Sequence, residues 1–200
     1  RQTEISAGCD IDKDRRELFQ RQWKCGNVYH DYHDFFSKTD LDLVTIATPP
    51  ETHLPILEAA AGAGIKTAVC EKPLAGTLED AKRIVALHDS GRMSILINHE
   101  RRYSADYQLV RRRIRESVYG ELRSVHAKIY MGNTRSRSEV AFWDGTHLLD
   151  IINFLIDGSL QIRHVRASED KDNSNYLVDA EVSGNEKLGG VPVLVEIGTR

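Results

Sequence analysis

DLVTIATPPETHLPILEAAAGAGIKTAVCEKP, residues Asp42–Pro73, is the stretch that decides the fold. Its first apolar run, Leu43 to Ala47, is rich in β-branched residues and too short for an ordinary helix, so it reads as a buried strand. Thr48-Pro49-Pro50 stops that strand, because proline donates nothing to a ladder and restricts the residue before it. Leu54, Ile56, Leu57 and the alanines after them read as a tightly packed helix, closed by Gly62 and Gly64. A second apolar run, Ile65 to Cys70, leads into Glu71-Lys72-Pro73. The product is a strand–helix–strand crossover, the repeating piece of a parallel sheet. Ligands of such sheets sit beyond the carboxyl ends of the strands, where Thr48, His53, Glu71 and Lys72 fall.

Upstream, residues 4–9 (EISAGC) read as a strand with Asp10 at its end. Asp12 caps a helix over about 13–24, with Leu18, Phe19 and Trp23 on one face and Gly26 beyond its end. Val28–Tyr29 is extended, and a turn or short helix lies near 33–37. Downstream, Thr77 with Asp80 resembles a capping box, and Leu78, Ala81, Ile84 and Val85 form the buried stripe of the helix it opens. Met93 to Ile97 is a further strand, followed by Asn98-His99-Glu100-Arg101-Arg102-Tyr103. The order β-α-β-α-β-α-β predicts a doubly wound α/β sheet.

The pattern then changes. A helix from about Ser104 to Val118 carries Tyr107, Val110 and Ile114 inward and Arg111, Arg112, Arg113 and Arg115 largely outward. Leu122 to Met131 reads as a long strand, Gly132 to Glu139 as a polar loop, and FWDGTHLLDIINFLIDG (142–158) as an apolar helix stopped by Gly158. Alternating segments at 162–168, 176–183 and 191–198, joined by turns, imply an open, mainly antiparallel sheet. A second, α+β domain is therefore expected, with residues 1–101 in the first domain and 102–200 in the second.

The 200 residues are 40% apolar and 28% charged, with net charge −3. This is an ordinary globular composition that excludes neither an enzyme nor a binding protein, but it offers no bulk attraction to nucleic acid. No apolar run reaches the roughly 20 residues of a membrane helix, so no membrane partner is expected. Three cysteines without a CxxC point to a reducing, cytoplasmic setting.

Several residues can carry chemistry. Asp10, at a strand end, can accept hydrogen bonds from both hydroxyls of an adenosine ribose and would repel a 2′-phosphate, favouring NAD over NADP; the plainer alternative is a helix-capping aspartate. Lys72 can hydrogen-bond a substrate hydroxyl and stabilise negative charge developing on it, or be a solvated turn lysine. His147 follows Asp144-Gly145-Thr146 at the start of the apolar helix, where it can exchange a carbinol proton or simply cap the helix. Asp150, three residues on, lies on roughly the same face and can orient it. The cluster His30-Asp31-Tyr32-His33-Asp34 has HxxH spacing, but no further ligand accompanies it, and no metal is expected. The run Arg111-Arg112-Arg113-Ile114-Arg115 lacks aromatic stacking partners and reads as a solvated helix face.

CDID (9–12), DLVTIATPPETH (42–53), VCEKPLAGTLEDA (69–81), NHERRY (98–103) and GTHLLD (145–150) occur in the order found in the Gfo/Idh/MocA oxidoreductases, which this chain resembles over most of residues 4–160. The resemblance implies an NAD(P)-binding Rossmann domain followed by an α/β domain whose open sheet often makes homo-oligomer contacts. It implies hydride transfer between nicotinamide and a sugar or polyol carbinol. Asp10 would meet the adenosine ribose. Ala47, Thr48, Pro49 and His53 would line the cofactor channel, with Glu71 near the nicotinamide and Asn98 and Arg102 bordering the cofactor and substrate pockets. Lys72 would contact the reacting hydroxyl, His147 would be the acid/base, and Asp144 would supply a carboxylate beside it.

Two departures qualify that picture. The family's first strand, GxGxxG turn and first helix have no counterpart among the nine residues before Asp10, so the chain by itself is expected to be inactive and truncated at both ends. Many members carry DxGxH, whereas Trp143 occupies that aspartate position here. Trp143 supports a second reading, a non-catalytic sugar- or nucleotide-sensing protein of the same fold. Retained Lys72 and His147 support the dehydrogenase.

Overall fold

The computed structural model describes residues 3–132, 139–169 and 174–199. They form two units divided between Asn98 and His99, each with its own apolar core.

In the first unit β1 (Gly8–Cys9) and β2 (Val28–Tyr29) pair in parallel. Between them runs α1 (Lys13–Trp23), and after them α2 (Tyr32–Lys38). The decisive stretch folds as read: β3 (Leu43–Ile46), a 3₁₀ turn at Pro50–Thr52, α3 (His53–Gly62) and β4 (Thr67–Cys70). Then come α4 (Leu78–Asp89) and β5 (Ser94–Ile97), and β3, β4 and β5 form a parallel sheet in that order. Among the described residues the expected doubly wound sheet is thus in two parallel pieces. Leu54, Ile56, Leu57 and Ala60 of α3 and Ile84 and Leu87 of α4 pack with Val44, Ile46, Ala68 and Cys70 in the first core. A strand covered on both faces would be buried at every residue. β3 instead alternates, with Leu43 and Thr45 exposed between buried Val44 and Ile46.

Three local expectations are corrected. The strand expected over 4–9 shrinks to Gly8–Cys9, because the ladder is closed by Gly8 N donating to Asn27 O and Asp10 N donating to Tyr29 O. The apolar face of α1 is not buried: Leu18 and Trp23 are 54% and 51% exposed, and Phe19 alone comes close against β1, its ring covering Gly8. On α4 the inward stripe is Ala81, Ile84 and Leu87, while Leu78 and Val85 point out. The cap itself is as read, with Thr77 Oγ1 accepting from Asp80 N at 3.1 Å.

The second unit opens with a 3₁₀ turn, Glu100–Tyr103, followed by α5 (Ala105–Arg115) and β6 (Val125–Met131). A π turn, Val140–Asp144, runs into α6 (Gly145–Ile156), and β7 (Ser159–Glu169), β8 (Ser174–Ser183) and β9 (Pro192–Thr199) complete the unit. The polar loop expected from Gly132 to Glu139 lies, apart from its two ends, outside the described residues. The sheet order is β6-β9-β8-β7, with β8 antiparallel to both neighbours and β6 parallel to β9. The sheet is therefore mainly antiparallel, as expected, with one parallel pair.

The phase of α5 differs from the expectation. Val110 is exposed, and Arg111 turns inward, its guanidinium 4.5 Å from the Phe154 ring centroid and 2.6 Å from Asp157. The arginine thus gains a cation–aromatic contact and a carboxylate partner.

Where α6 ends, Asp157 adopts a left-handed conformation and Gly158 passes so close to β8 that a Cβ there would lie 2.7 Å from the Ser183 carbonyl oxygen. Backbone cannot yield as a side-chain tip does. Gly158→Ala is expected to destabilise this unit by about 2 kcal/mol, read from a denaturant melt followed by Trp143 fluorescence. A change below about 0.5 kcal/mol would show that α6 and β8 separate freely.

Candidate functional site

The register of the parallel sheet aligns Ile46, Cys70 and Ile97, so β3, β4 and β5 end together. The ladder continues one step further, with Glu71 N donating to Ile46 O (2.9 Å) and Asn98 N donating to Cys70 O (2.8 Å). This places Ala47, Glu71 and Asn98 side by side. Asn98 Nδ2 donates to Glu71 Oε1 at 2.6 Å, and Lys72 N donates to Glu71 Oε2 at 3.3 Å. The Glu71 carboxylate thus fixes the turn that presents half-buried Lys72, whose bond to Pro73 is cis. Ala47, Thr48 and Pro49 are exposed at the end of β3, and the Thr52 hydroxyl stands 2.7 Å from both the Thr48 hydroxyl and the Pro49 carbonyl.

His53 opens α3. It is 0% exposed, with Nε2 2.8 Å from Thr48 O and Nδ1 3.1 Å from Leu74 O. The ring joins the loops that follow β3 and β4. Cys70 lies beneath the same turn, fully buried, and burial, helped by the charge of Glu71, pushes its thiol up to about 12.

Asp10 follows β1. Its Oδ1 accepts from Asp12 N at 2.8 Å, and its Oδ2 lies 4.0 Å from Arg15 Nη1 with the side chain 34% exposed. The helix cap is Asp12, which accepts from Asp14 N and Arg15 N; these bonds hold its carboxyl below the usual range. Asp10 is therefore not the capping aspartate. One of its oxygens serves the local turn, and the other faces an exposed basic side chain and solvent.

The His30–Asp34 cluster has a structural explanation. Asp31 caps α2 by accepting from His33 N and Asp34 N, Asp34 pairs with Lys38, and His33 stacks on Tyr32. Among the described residues no group of three or more His, Cys, Asp or Glu side chains is arranged to hold a metal.

In the second unit the polar residues gather where α6 meets the Glu100–Tyr103 turn. His147 lies on the first turn of α6, after buried Asp144, which closes the π turn. Asp150, only 10% exposed, receives Arg102 Nε at 2.9 and 3.1 Å and Arg102 Nη2 at 2.5 Å, with His99 Nδ1 3.6 Å away. That carboxylate, first through its hydrogen bonds, raises the Arg102 pKa. One expectation changes here. Asp150 holds Arg102 rather than orienting His147, and Arg102, expected to border the cofactor and substrate pockets, is tied to α6 by that carboxylate. The carboxylate that stands against His147 is Glu100, with Oε1 3.8 Å from Nδ1. Sequence reasoning missed Glu100, because nothing in a 47-residue separation signals that contact.

A parallel α/β sheet with its polar groups collected beyond the strand ends is the Rossmann class of fold. Residues 1–99 match the model of the oxidoreductase family, NAD-binding Rossmann fold. The chain belongs to this family, Gfo/Idh/MocA. An inositol 2-dehydrogenase of Salmonella paratyphi B is 27% identical over 199 residues, covering 97% of this chain and 59% of that protein. A D-apiose dehydrogenase of Paraburkholderia graminis is 31% identical over 162 residues, 76% of this chain and 43% of that protein. The crystal structure of an oxidoreductase from Agrobacterium radiobacter in complex with NAD+, L-tartaric acid and magnesium shares the fold, with a TM-score of 0.78 at 23% identity over 96% of this chain and 58% of that one. The chain spans about three-fifths of the length of the curated relative matched over nearly all of its residues.

Proposed function

We propose that this chain belongs to an NAD-dependent oxidoreductase that moves a hydride between the carbinol carbon of a sugar or polyol and nicotinamide. The observation that carries the reading is the 2.6 Å Asn98–Glu71 bond, which fixes Lys72 at the carboxyl ends of parallel strands. The names of the inositol and apiose dehydrogenases support the substrate class.

The residues at hand fit the cofactor. Asp10 keeps an oxygen toward solvent for the ribose hydroxyls, Ala47, Thr48 and Pro49 expose a surface at the end of β3, and Glu71 and Asn98 shape the neighbouring strand ends. NAD, when bound, supplies the hydride acceptor. Lys72 donates a hydrogen bond to the substrate hydroxyl and stabilises negative charge as its proton departs. His147 takes that proton, with buried Asp144 adding negative charge near the start of its helix. The carbinol loses one hydride and one proton and becomes a carbonyl. The substrate acts as a small molecule, and a second copy of the chain is proposed to meet the open sheet. No described helix is long and apolar enough to cross a membrane.

The test is turnover of the protein as its source expresses it, against a panel of inositols, sugars and polyols. NADH formation is expected with at least one of them, with NAD preferred to NADP and the preference narrowed by Asp10→Ala. A panel without any NADH formation would overturn the dehydrogenase reading.

A further inference from the structure

We propose that Glu100 is the positioning residue for His147, its carboxylate facing Nδ1 so that Nε2 keeps the lone pair that exchanges the substrate proton. This rests on the dehydrogenase reading. A histidine that works as a base needs one nitrogen hydrogen-free, and the group facing the other nitrogen decides which one that is. The residue one turn before His147 is Trp143, which carries no carboxylate. The residue nearly one turn after it, Asp150, is committed to Arg102 through three contacts of 2.5–3.1 Å. Glu100 Oε1 stands 3.8 Å from Nδ1, with the imidazole 11% and the carboxylate 57% exposed. The spacing is that of an ion pair with room to shorten, and the carboxylate, more than half exposed, carries only a small desolvation penalty.

That spacing is held by the scaffold. Glu100 opens the same 3₁₀ turn that contains Arg102, and Arg102 is clamped to Asp150 on the helix that carries His147. The clamp pins the turn to the helix one turn away from the Glu100–His147 pair. The other charged or titratable groups on these elements are Arg101, Arg102, Tyr103 and Asp150, with His99 just before the turn and Asp144 just before the helix. Asp150 and Arg102 neutralise each other, and Glu100 is a carboxylate that stands against the ring.

The test is Glu100→Gln in the full protein, isosteric and at an exposed position. Nitrogen-15 NMR of the imidazole reads the tautomer. The neutral ring is expected as the Nδ1–H form in the native protein, shifting toward the Nε2–H form in the variant. A carboxylate facing the ring favours imidazolium, and its loss disfavours it. The acid limb of kcat against pH then moves to lower pH, and the plateau falls about tenfold, because the base is weaker and less well oriented. KM for NAD stays unchanged, and Glu100→Asp recovers part of the rate. A native-like tautomer and midpoint in Glu100→Gln overturns the assignment. Failure of the native protein to turn over any substrate overturns the dehydrogenase reading instead, and the tautomer measurement still decides the pair.

Discussion

Lys72→Ala is expected to lower kcat by about 10²–10³-fold, the scale on which removal of one donor aimed at developing negative charge is felt. The effect should fall on kcat and kcat/KM together, because the ammonium acts most strongly as the hydroxyl loses its proton. Affinity for NAD should change little. The turn that presents Lys72 is held by its backbone and by the Glu71–Asn98 bond, neither of which involves the Lys72 side chain. A native-like melting midpoint of the variant shows that the loss reports chemistry. Steady-state kinetics on the best substrate of the panel, with NAD binding measured separately, makes the comparison. Rates near those of the native protein would remove Lys72 from the reaction.

His53→Ala carries the largest expected cost in stability, about 3 kcal/mol. Deleting a fully buried ring leaves a cavity, which alone accounts for about 2–3 kcal/mol. It also strips at least one of the Thr48 and Leu74 carbonyls of its donor, and an unsatisfied buried acceptor costs about 1 kcal/mol or more. Part of that is recovered where Thr48 reaches water. The readout is a urea melt followed by pulse labelling of Cys70, a buried thiol in the same unit. A loss below about 1 kcal/mol would mean that the two loops are held by other contacts and that the ring is not their brace.

The crossover was legible because its strands and helix differ in period and its prolines and glycines mark the ends. Leu43–Ile46, His53–Gly62 and Thr67–Cys70 fall where Asp42–Pro73 placed them. What failed to read had distant causes. Leu18 and Trp23 share a face with Phe19, yet periodicity cannot say whether a surface exists to cover that face, and here only the Phe19 ring finds close contact at Gly8. Arg111 looked solvated until Phe154 and Asp157, more than 40 residues on, offered it a seat. The polar residues of the site were read as a set of types, but not their division of labour. The contacts of His53 with the Thr48 and Leu74 carbonyls and of Arg102 with Asp150 were not read, and Glu100 was passed over as part of a charged turn. Sequence spacing resolves neighbours within one element; Arg102–Asp150 and Glu100–His147 join a turn to a helix nearly 50 residues away.

The buried thiol of Cys70 has a consequence for durability. Oxidants attack thiolate, and a thiol raised to about 12 is almost wholly protonated at neutral pH as well as shielded from contact. A sulfenic or sulfinic group here would add polar bulk directly beneath Glu71 and disturb the turn that carries Lys72. The folded strand end excludes that damage. Peroxide and thiol-modifying compounds therefore reach exposed Cys9 first and leave the proposed reaction centre chemically intact until the unit itself opens.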